Sequence, residues 1–472
     1  MNRLMRRSAG ACVLWLSLAG TTSFAQTDTL FVVSQINVKG NKVTKSRIII
    51  RELSLRVGDT ISSSRLSKIL TRDRQKIYNL KLFNTVAVYA EHPSETSIDI
   101  TVEVTERWYT FPVPILDLSD RNFNEWWVNY GHDFRRLKYG LRFYQNNFRG
   151  RNETLSFMAQ FGFTRQFRIN YSIPYIDKKQ KQGLEFEYNY DEPKNISYFT
   201  KDHKILYATA KTTLLHGHSG AITYKYRNTF YDTHYLSAGF FSNRVADTVT
   251  KYLNSSYYFD GRDSMSSMYF SYAFESEHRD VVAYPLHGYQ FSASLKKTGP
   301  GISNAANCWE AEAAYARHWE VKKNLFLSNF SSLHVSFPEN QPYALFASLG
   351  RSRQIVRGYE IFLIEGPSFA VNKTTLKHKI FSRTWRWEKF FLEQFRHYPV
   401  TIYYKVFTDA GYVKNYPYYQ ERRLNTRLTG KPLWSAGTGI DMVLFYDLAL
   451  RFEYTFTAEG THGFFFNIKK EF

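Results

Sequence analysis

Cysteine is nearly absent: the 472 residues hold two, Cys12 and Cys308. Cys12 lies in an apolar amino-terminal stretch whose loss would leave Cys308 alone, so no internal disulfide is expected. Long hydrophobic runs are also missing. Past the amino terminus no run reaches the roughly 18 apolar residues a spanning helix needs. Acidic residues are few, 42 against 62 Lys and Arg, which gives a formal net charge of +20. That balance suits nucleic-acid binding, yet no basic recognition motif is present, so no nucleic-acid partner is expected. Basic rims facing anionic lipid head groups account better for the excess. Enzyme signatures are lacking as well. His216 and His218 flank a glycine in a predicted turn with no further ligands nearby, so no metal site is expected. Gly430 and Lys431 lack the upstream glycine of a phosphate loop, and there is no G-x-S-x-G elbow. The sequence therefore implies no catalytic residues, no cofactor and no enzyme.

The amino terminus has the pattern of a secretory signal. Arg3, Arg6 and Arg7 precede an apolar stretch over residues 11–19, and Ser23 and Ala25 are small residues at the cleavage positions. Residues 1–25 are thus a predicted signal peptide.

What the chain has in abundance is aromatic residues, 35 Tyr and 39 Phe, arranged at period two. Leu448, Leu450, Phe452, Tyr454 and Phe456 alternate with Ala449, Arg451, Glu453 and Thr455. Leu155, Phe157, Ala159, Phe161 and Phe163 repeat the pattern, as do Leu184, Phe186, Tyr188 and Tyr190. Trp434, Ala436, Thr438, Ile440, Met442 and Leu444 follow it, and the chain closes on Phe464, Phe466, Ile468 and Phe472, interrupted by Lys470. Strict alternation is the strand period. Segments of about ten residues, apolar on one face and polar on the other, mark a transmembrane β-barrel. About 16 such segments follow Arg107, within the range of bacterial barrels. The expected short connections lie at residues 146–151, 177–182, 216–220, 321–324 and 445–447. The expected long ones lie at 232–266, 338–367 and 414–432. Residues 382–397 are long and fall on the short-turn side; an amphipathic helix at the rim is one expectation there.

Residues 29–106 read differently. Residues 31–38 predict a strand, 44–53 a helix, and a second helix runs from Ser62 or Ser63 to about Leu80. Its stripe is Leu66, Ile69, Leu70, Ile77 and Leu80. Strands are predicted at 86–91 and 98–104. This is enough for one small α+β domain.

The segments INVKGNKVT (36–44), VGD (57–59), KLFNTV (81–86) and IDITVEVTER (98–107) resemble, in that order, a POTRA domain. RQIVRGYE (353–360) and FTDAGYV (407–413), with HRDVVAYPLHGYQFSASL (278–295), are similar to motifs of the BamA/TamA-type outer-membrane protein assembly superfamily. The resemblance implies a mainly β fold: an antiparallel transmembrane β-barrel of about 16 strands over 107–472, preceded by a POTRA domain over 29–106. It implies that loop 338–367 folds inward. There Val356, Arg357, Gly358 and Tyr359 would meet a strand bearing Phe407, Asp409 and Gly411. Periodicity independently turns Lys405 and Asp409 toward the lumen, where an Arg357 fork suits a carboxylate. The first and last strands would form a weak seam with Pro112, Pro114, Phe464, Phe466, Ile468 and Phe472. The two prolines also fit a linker ahead of the barrel. The implied place is the bacterial outer membrane, with the POTRA domain in the periplasm. The implied partners are unfolded outer-membrane or secreted client proteins, outer-membrane lipids, and periplasmic chaperones or lipoproteins. The implied function is insertion of clients at the seam. The alternative is a two-partner-type transporter that secretes a dedicated protein through the lumen.

Overall fold

A computed structural model describes residues 29–118, 133–177, 179–299, 307–350, 354–388, 396–444 and 448–468. The expected signal peptide, Lys470 and Phe472 lie outside the described residues.

The amino-terminal unit is a four-stranded sheet with two helices. Its elements are β1 (Leu30–Lys39), α1 (Ser46–Ile50), β2 (Thr60–Ser62), α2 (Ser63–Asn79), β3 (Phe83–Glu91) and β4 (Ser97–Glu106). The order is β2-β1-β4-β3, with β1 and β4 parallel. Ile77 of α2 and Ile48 and Ile49 of α1 pack on Phe83, Val102 and Val104. Leu66 packs on Val33, Ile98 and Ile100. The first helix is shorter than predicted, because the chain turns at Arg51 and Glu52, and the Glu52 carboxylate holds Arg227 at 3.0 Å. Strand β2 was not predicted; three residues are too few for periodicity to register.

Sixteen further strands form one antiparallel wall in sequence order. They are β5 (Thr110–Leu118), β6 (Leu137–Phe148), β7 (Glu153–Gly162), β8 (Thr164–Ile173) and β9 (Gln182–Pro193). After a separate hairpin of β10 (Asn195–Lys201) and β11 (Lys204–Thr209) come β12 (Leu215–Arg227), β13 (Asp232–Val245), β14 (Ser264–Glu277) and β15 (Gly288–Thr298). Next are β16 (Cys308–Lys322) and β17 (Leu325–Phe337), then a small pair of β18 (Ser348–Leu349) and β19 (Ile364–Glu365). The wall ends with β20 (Ser368–Arg386), β21 (His397–Lys414), β22 (Pro432–Val443), β23 (Ala449–Thr457) and β24 (His462–Ile468). Among the described residues β5 and β24 are its two ends, and no ladder joins them. The alternating faces separate inside from outside. On β21, Tyr404, Val406 and Tyr412 are exposed, whereas Lys405, Phe407 and Asp409 are buried.

Several expectations need correction. Residues 216–220 are not a turn but lie inside β12. Their glycines answer to crowding: a Cβ on Gly217 would sit 2.8 Å from Asn243 Oδ1, and one on Gly220 would sit 2.8 Å from Phe240 Cε1. The turn is four residues, 228–231, and of the expected loop 232–266 the first part is strand β13, leaving a connection at 246–263. Phe163 leaves the outer face: β7 stops at Gly162, whose φ is +90°, and Phe163 is buried under the Arg136 guanidinium, 4.8 Å from its ring. Residues 382–386 are not helical. They prolong β20, because Phe381, Arg383 and Trp385 alternate with Ser382, Thr384 and Arg386 at strand period.

The amino-terminal unit sits on the short-turn end of the wall. Lys45 N–H donates to Gly150 O at 3.0 Å, and Asn79 Nδ2 donates to Asp280 O at 3.0 Å. The Lys76 ammonium lies 3.6 Å from the Phe230 ring centroid. Antiparallel alternation then places 246–263, 338–367 and 415–431 at the opposite end.

A candidate loop lock and barrel seam

Loop 338–367 enters the wall from that opposite end. Its tip is shaped by Gly358, whose φ of +87° suits glycine. A Cβ there would lie 2.7 Å from Thr455 Cγ2 and 2.8 Å from Thr457 Cγ2. The turn therefore presses directly onto β23. Val356 and Tyr359 are buried with Leu349, Ile364, Val413 and Leu433. Gly411 makes room for Val356, since a Cβ on it would fall 2.6 Å from Val356 Cγ2. The Tyr359 hydroxyl donates to Trp434 O at 3.3 Å.

This packing delivers Arg357 to Asp409. Arg357 Nε donates to Oδ2 at 2.9 Å, Nη2 to Oδ1 at 2.5 Å, and the backbone N–H of Arg357 to Oδ2 at 3.0 Å. Nη2 also donates to Thr375 Oγ1 at 3.0 Å. The guanidinium lies 3.7 Å from the Phe407 ring centroid. Asp409 is 1% exposed, so water screens the pair little. All seven expected lock residues thus meet in one place. Others beside them were not anticipated as part of the site. Glu453 Oε1 lies 3.6 Å from Arg357 Nη1 and 2.7 Å from Lys405 Nζ, which also reaches Asp441 at 2.5 Å. The Tyr284 hydroxyl, from the turn between β14 and β15, donates to Asp441 Oδ2 at 2.8 Å. The available signal was charge at mid-strand on the lumen face, in Lys405, Asp441 and Glu453.

Above the lock, at the long-loop end, His203 joins three segments. Its Nε2 accepts from Leu428 N–H at 2.9 Å, its carbonyl accepts from Leu363 N–H at 2.8 Å, and its N–H donates to Asn425 Oδ1 at 3.1 Å. Burial and the nearby Arg427 push the imidazole down to about 4. No sequence motif pointed to it.

The seam residues are placed in part. Pro112 and Pro114 lie within β5, opposite Phe143 and Leu141, and so belong to the wall rather than to a linker. Asn146 N–H donates to Tyr109 O at 2.8 Å. In an antiparallel pair, bonded and non-bonded rungs alternate. Tyr109 and the odd residues after it therefore exchange bonds with β6, and even positions turn their amides toward the free edge. Both prolines are even, so the donors they lack are missing from that edge. Phe464 and Phe466 are exposed on β24. Ile468 ends β24.

Residues 31–107 match the POTRA family of surface antigen variable number repeats, and residues 147–472 match the Omp85 superfamily domain. No curated protein is similar in sequence at a significant level. Two of the solved structures that share the fold serve as comparison. BamA from Haemophilus ducreyi lacking POTRA domains 1–3 has a TM-score of 0.51 at 16% identity, over 93% of this chain and 83% of that one. CdiB from Escherichia coli has a TM-score of 0.52 at 12% identity, over 93% of this chain and 74% of that one. With a POTRA unit ahead of a sixteen-stranded wall that the superfamily domain matches from residue 147 through Phe472, this chain is a member of the Omp85 superfamily.

Proposed function

We propose that this protein inserts client proteins into the bacterial outer membrane, with its POTRA unit in the periplasm. The observation that carries this reading is the edge of β5. Two amide donors are missing from the side that would close on β24, which weakens that closure. A client strand can pair at such an edge and keep its backbone groups bonded while it enters lipid. The loop lock braces β21 and β23 on one flank of the seam, so β24 would part from β5 beside a fixed support. Unfolded clients reach the seam through the POTRA unit, where β3 offers a free sheet edge. No cofactor or bond-making step is needed.

The test is a disulfide scan between β5 and β24 in a Cys308→Ser background. Locking the seam should stop client insertion while the barrel stays folded. Normal insertion by the locked protein would overturn the reading. Depletion of the protein discriminates further: loss of many outer-membrane proteins fits insertion, whereas loss of one secreted protein favours dedicated export through the lumen.

A further inference from the structure

The β20–β21 pair continues after its neighbours have stopped. β17 leaves the ladder where Leu325 meets His378, and β22 leaves it where Val443 meets Thr401. Beyond those rungs residues 381–386 pair only with 397–402. At about 3.3 Å per residue this ribbon runs roughly 13–20 Å past the rim.

A bulge between Lys379 and Phe381 sets its faces. Before the bulge, odd-numbered Lys373, Thr375 and Lys377 point inward and are buried. One extra residue exchanges the faces. After it, Phe381, Arg383 and Trp385 stand opposite Ile402, Val400 and Tyr398. That is the face of β21 on which exposed Tyr404 and Val406 form the barrel's outer wall. The outward face stays continuous and aromatic: Phe381 and Trp385 rings lie 6.0 Å apart, Trp387 and Tyr398 rings 4.9 Å apart. The Arg383 guanidinium lies 5.6 Å from the Trp385 ring. The other face carries Ser382, Thr384, Arg386, His397 and Thr401.

The level of this face can be read from the rungs. Ile402 pairs with Met442, which pairs with Leu450, and the outward apolar band ends one rung further, at Leu444 and exposed Leu448, where Leu444 N–H donates to Leu448 O at 2.8 Å. Counted along the strands, the Arg383 rung matches that end and the Trp385 rung lies two residues lower, about 5 Å along the normal for a strand tilted ~40°. That is the depth of the head-group layer. Tyr and Trp favour this layer, and Arg383, with no carboxylate among the described residues of its face, complements lipid phosphate.

We propose that this ribbon is a lipid head-group anchor. Its outward face lies in the periplasmic leaflet, and Arg383 binds the phosphate of anionic phospholipid. The proposal rests on the outer-membrane placement above, and it adds a fixed lipid contact three strands from β24.

The full-length protein, in a Cys308→Ser background, is reconstituted in vesicles of phosphatidylethanolamine and phosphatidylglycerol. Spin labels are placed at Val400→Cys, outward, and Thr384→Cys, inward. The label at 400 should be reached by oxygen more than by a water-soluble nickel chelate, and the label at 384 the reverse. Arg383→Gln should lower retained phosphatidylglycerol about five-fold in native mass spectrometry, with phosphatidylethanolamine unchanged. Heat-modifiable gel mobility checks that each variant is folded. Nickel access at both positions, or unchanged phosphatidylglycerol in Arg383→Gln, overturns the anchor. Protection of 400 that appears only with an unfolded client also overturns it and makes the ribbon a client dock. Failed client insertion with both lipid readouts intact overturns the proposed function and leaves the anchor standing.

Discussion

Arg357 and Asp409 are a buried pair whose geometry leaves neither group an alternative partner of equal quality. Asp409 accepts three bonds from one residue, and Arg357 is sandwiched against the Phe407 ring. Removing one partner strands the other charge, which costs about 3–5 kcal/mol. Arg357→Ala and Asp409→Ala should each lower the barrel's thermal unfolding temperature and its insertion activity, and the double variant should be little worse than either. Differential scanning calorimetry across the four proteins checks this, and additive losses would dissolve the pair as a unit. Gly358→Ala should act on the same lock by another route. Its Cβ would press on Thr455 and Thr457 at an unfavourable φ, so protease sensitivity of the loop tip should rise while Arg357 is still present. His203 gives a pH dependence. Leu428 donates to Nε2, so the bound ring is neutral with its proton on Nδ1. Its pKa falls from the ordinary 6.5 to about 4 in the folded chain. The stability it contributes is therefore complete above pH 6.5 and is lost as pH falls toward 4, by about 3 kcal/mol at most. Hydrogen exchange at Leu363 and Leu428 should accelerate across that window, and His203→Gln should flatten the response.

At the scale of elements, the edge strand β5 makes the sharpest prediction. Pro112→Thr and Pro114→Thr restore two donors to the free edge, each worth roughly 0.5–1.5 kcal/mol if paired. The double variant should show slower lateral opening and slower client insertion, with higher resistance to heat. Faster insertion would mean that the prolines serve something other than a weak closure. The elements also show what was legible in the sequence. Period two identified the wall because each strand has a lipid side and a polar side, and the lock motifs were readable through the family resemblance, to which period two added only that Asp409 faces the lumen. Which charges join the lock was not readable. Glu453 reaches Arg357 only through the stagger of two ladders, and stagger leaves no mark on periodicity. Gly217 and Gly220 misled, since a glycine that admits a neighbouring strand's side chain looks the same as one that turns the chain. The face exchange at residue 380 was hidden because Ile380 and Phe381 are both apolar and give no clue which is the extra residue.

At the scale of the molecule, the POTRA unit is braced against the wall at widely spaced turns, through Gly150, Phe230 and Asp280 and through the Glu52–Arg227 pair. Glu52→Gln should weaken that brace and widen the distance distribution between spin labels on α2 and β16, without changing the barrel's own melting. The strand order has a further consequence, for how the chain itself is built. Every ladder in the wall joins strands that are consecutive members of the wall, with only the small pairs β10–β11 and β18–β19 intervening. Hairpins can therefore be added one at a time, with each new strand captured by the one just laid down, and loop-closure entropy stays small at each step. Only the meeting of β5 with β24 spans the whole wall. During biogenesis this protein must then pass through a sheet with two open edges, the same condition it is proposed to relieve in others.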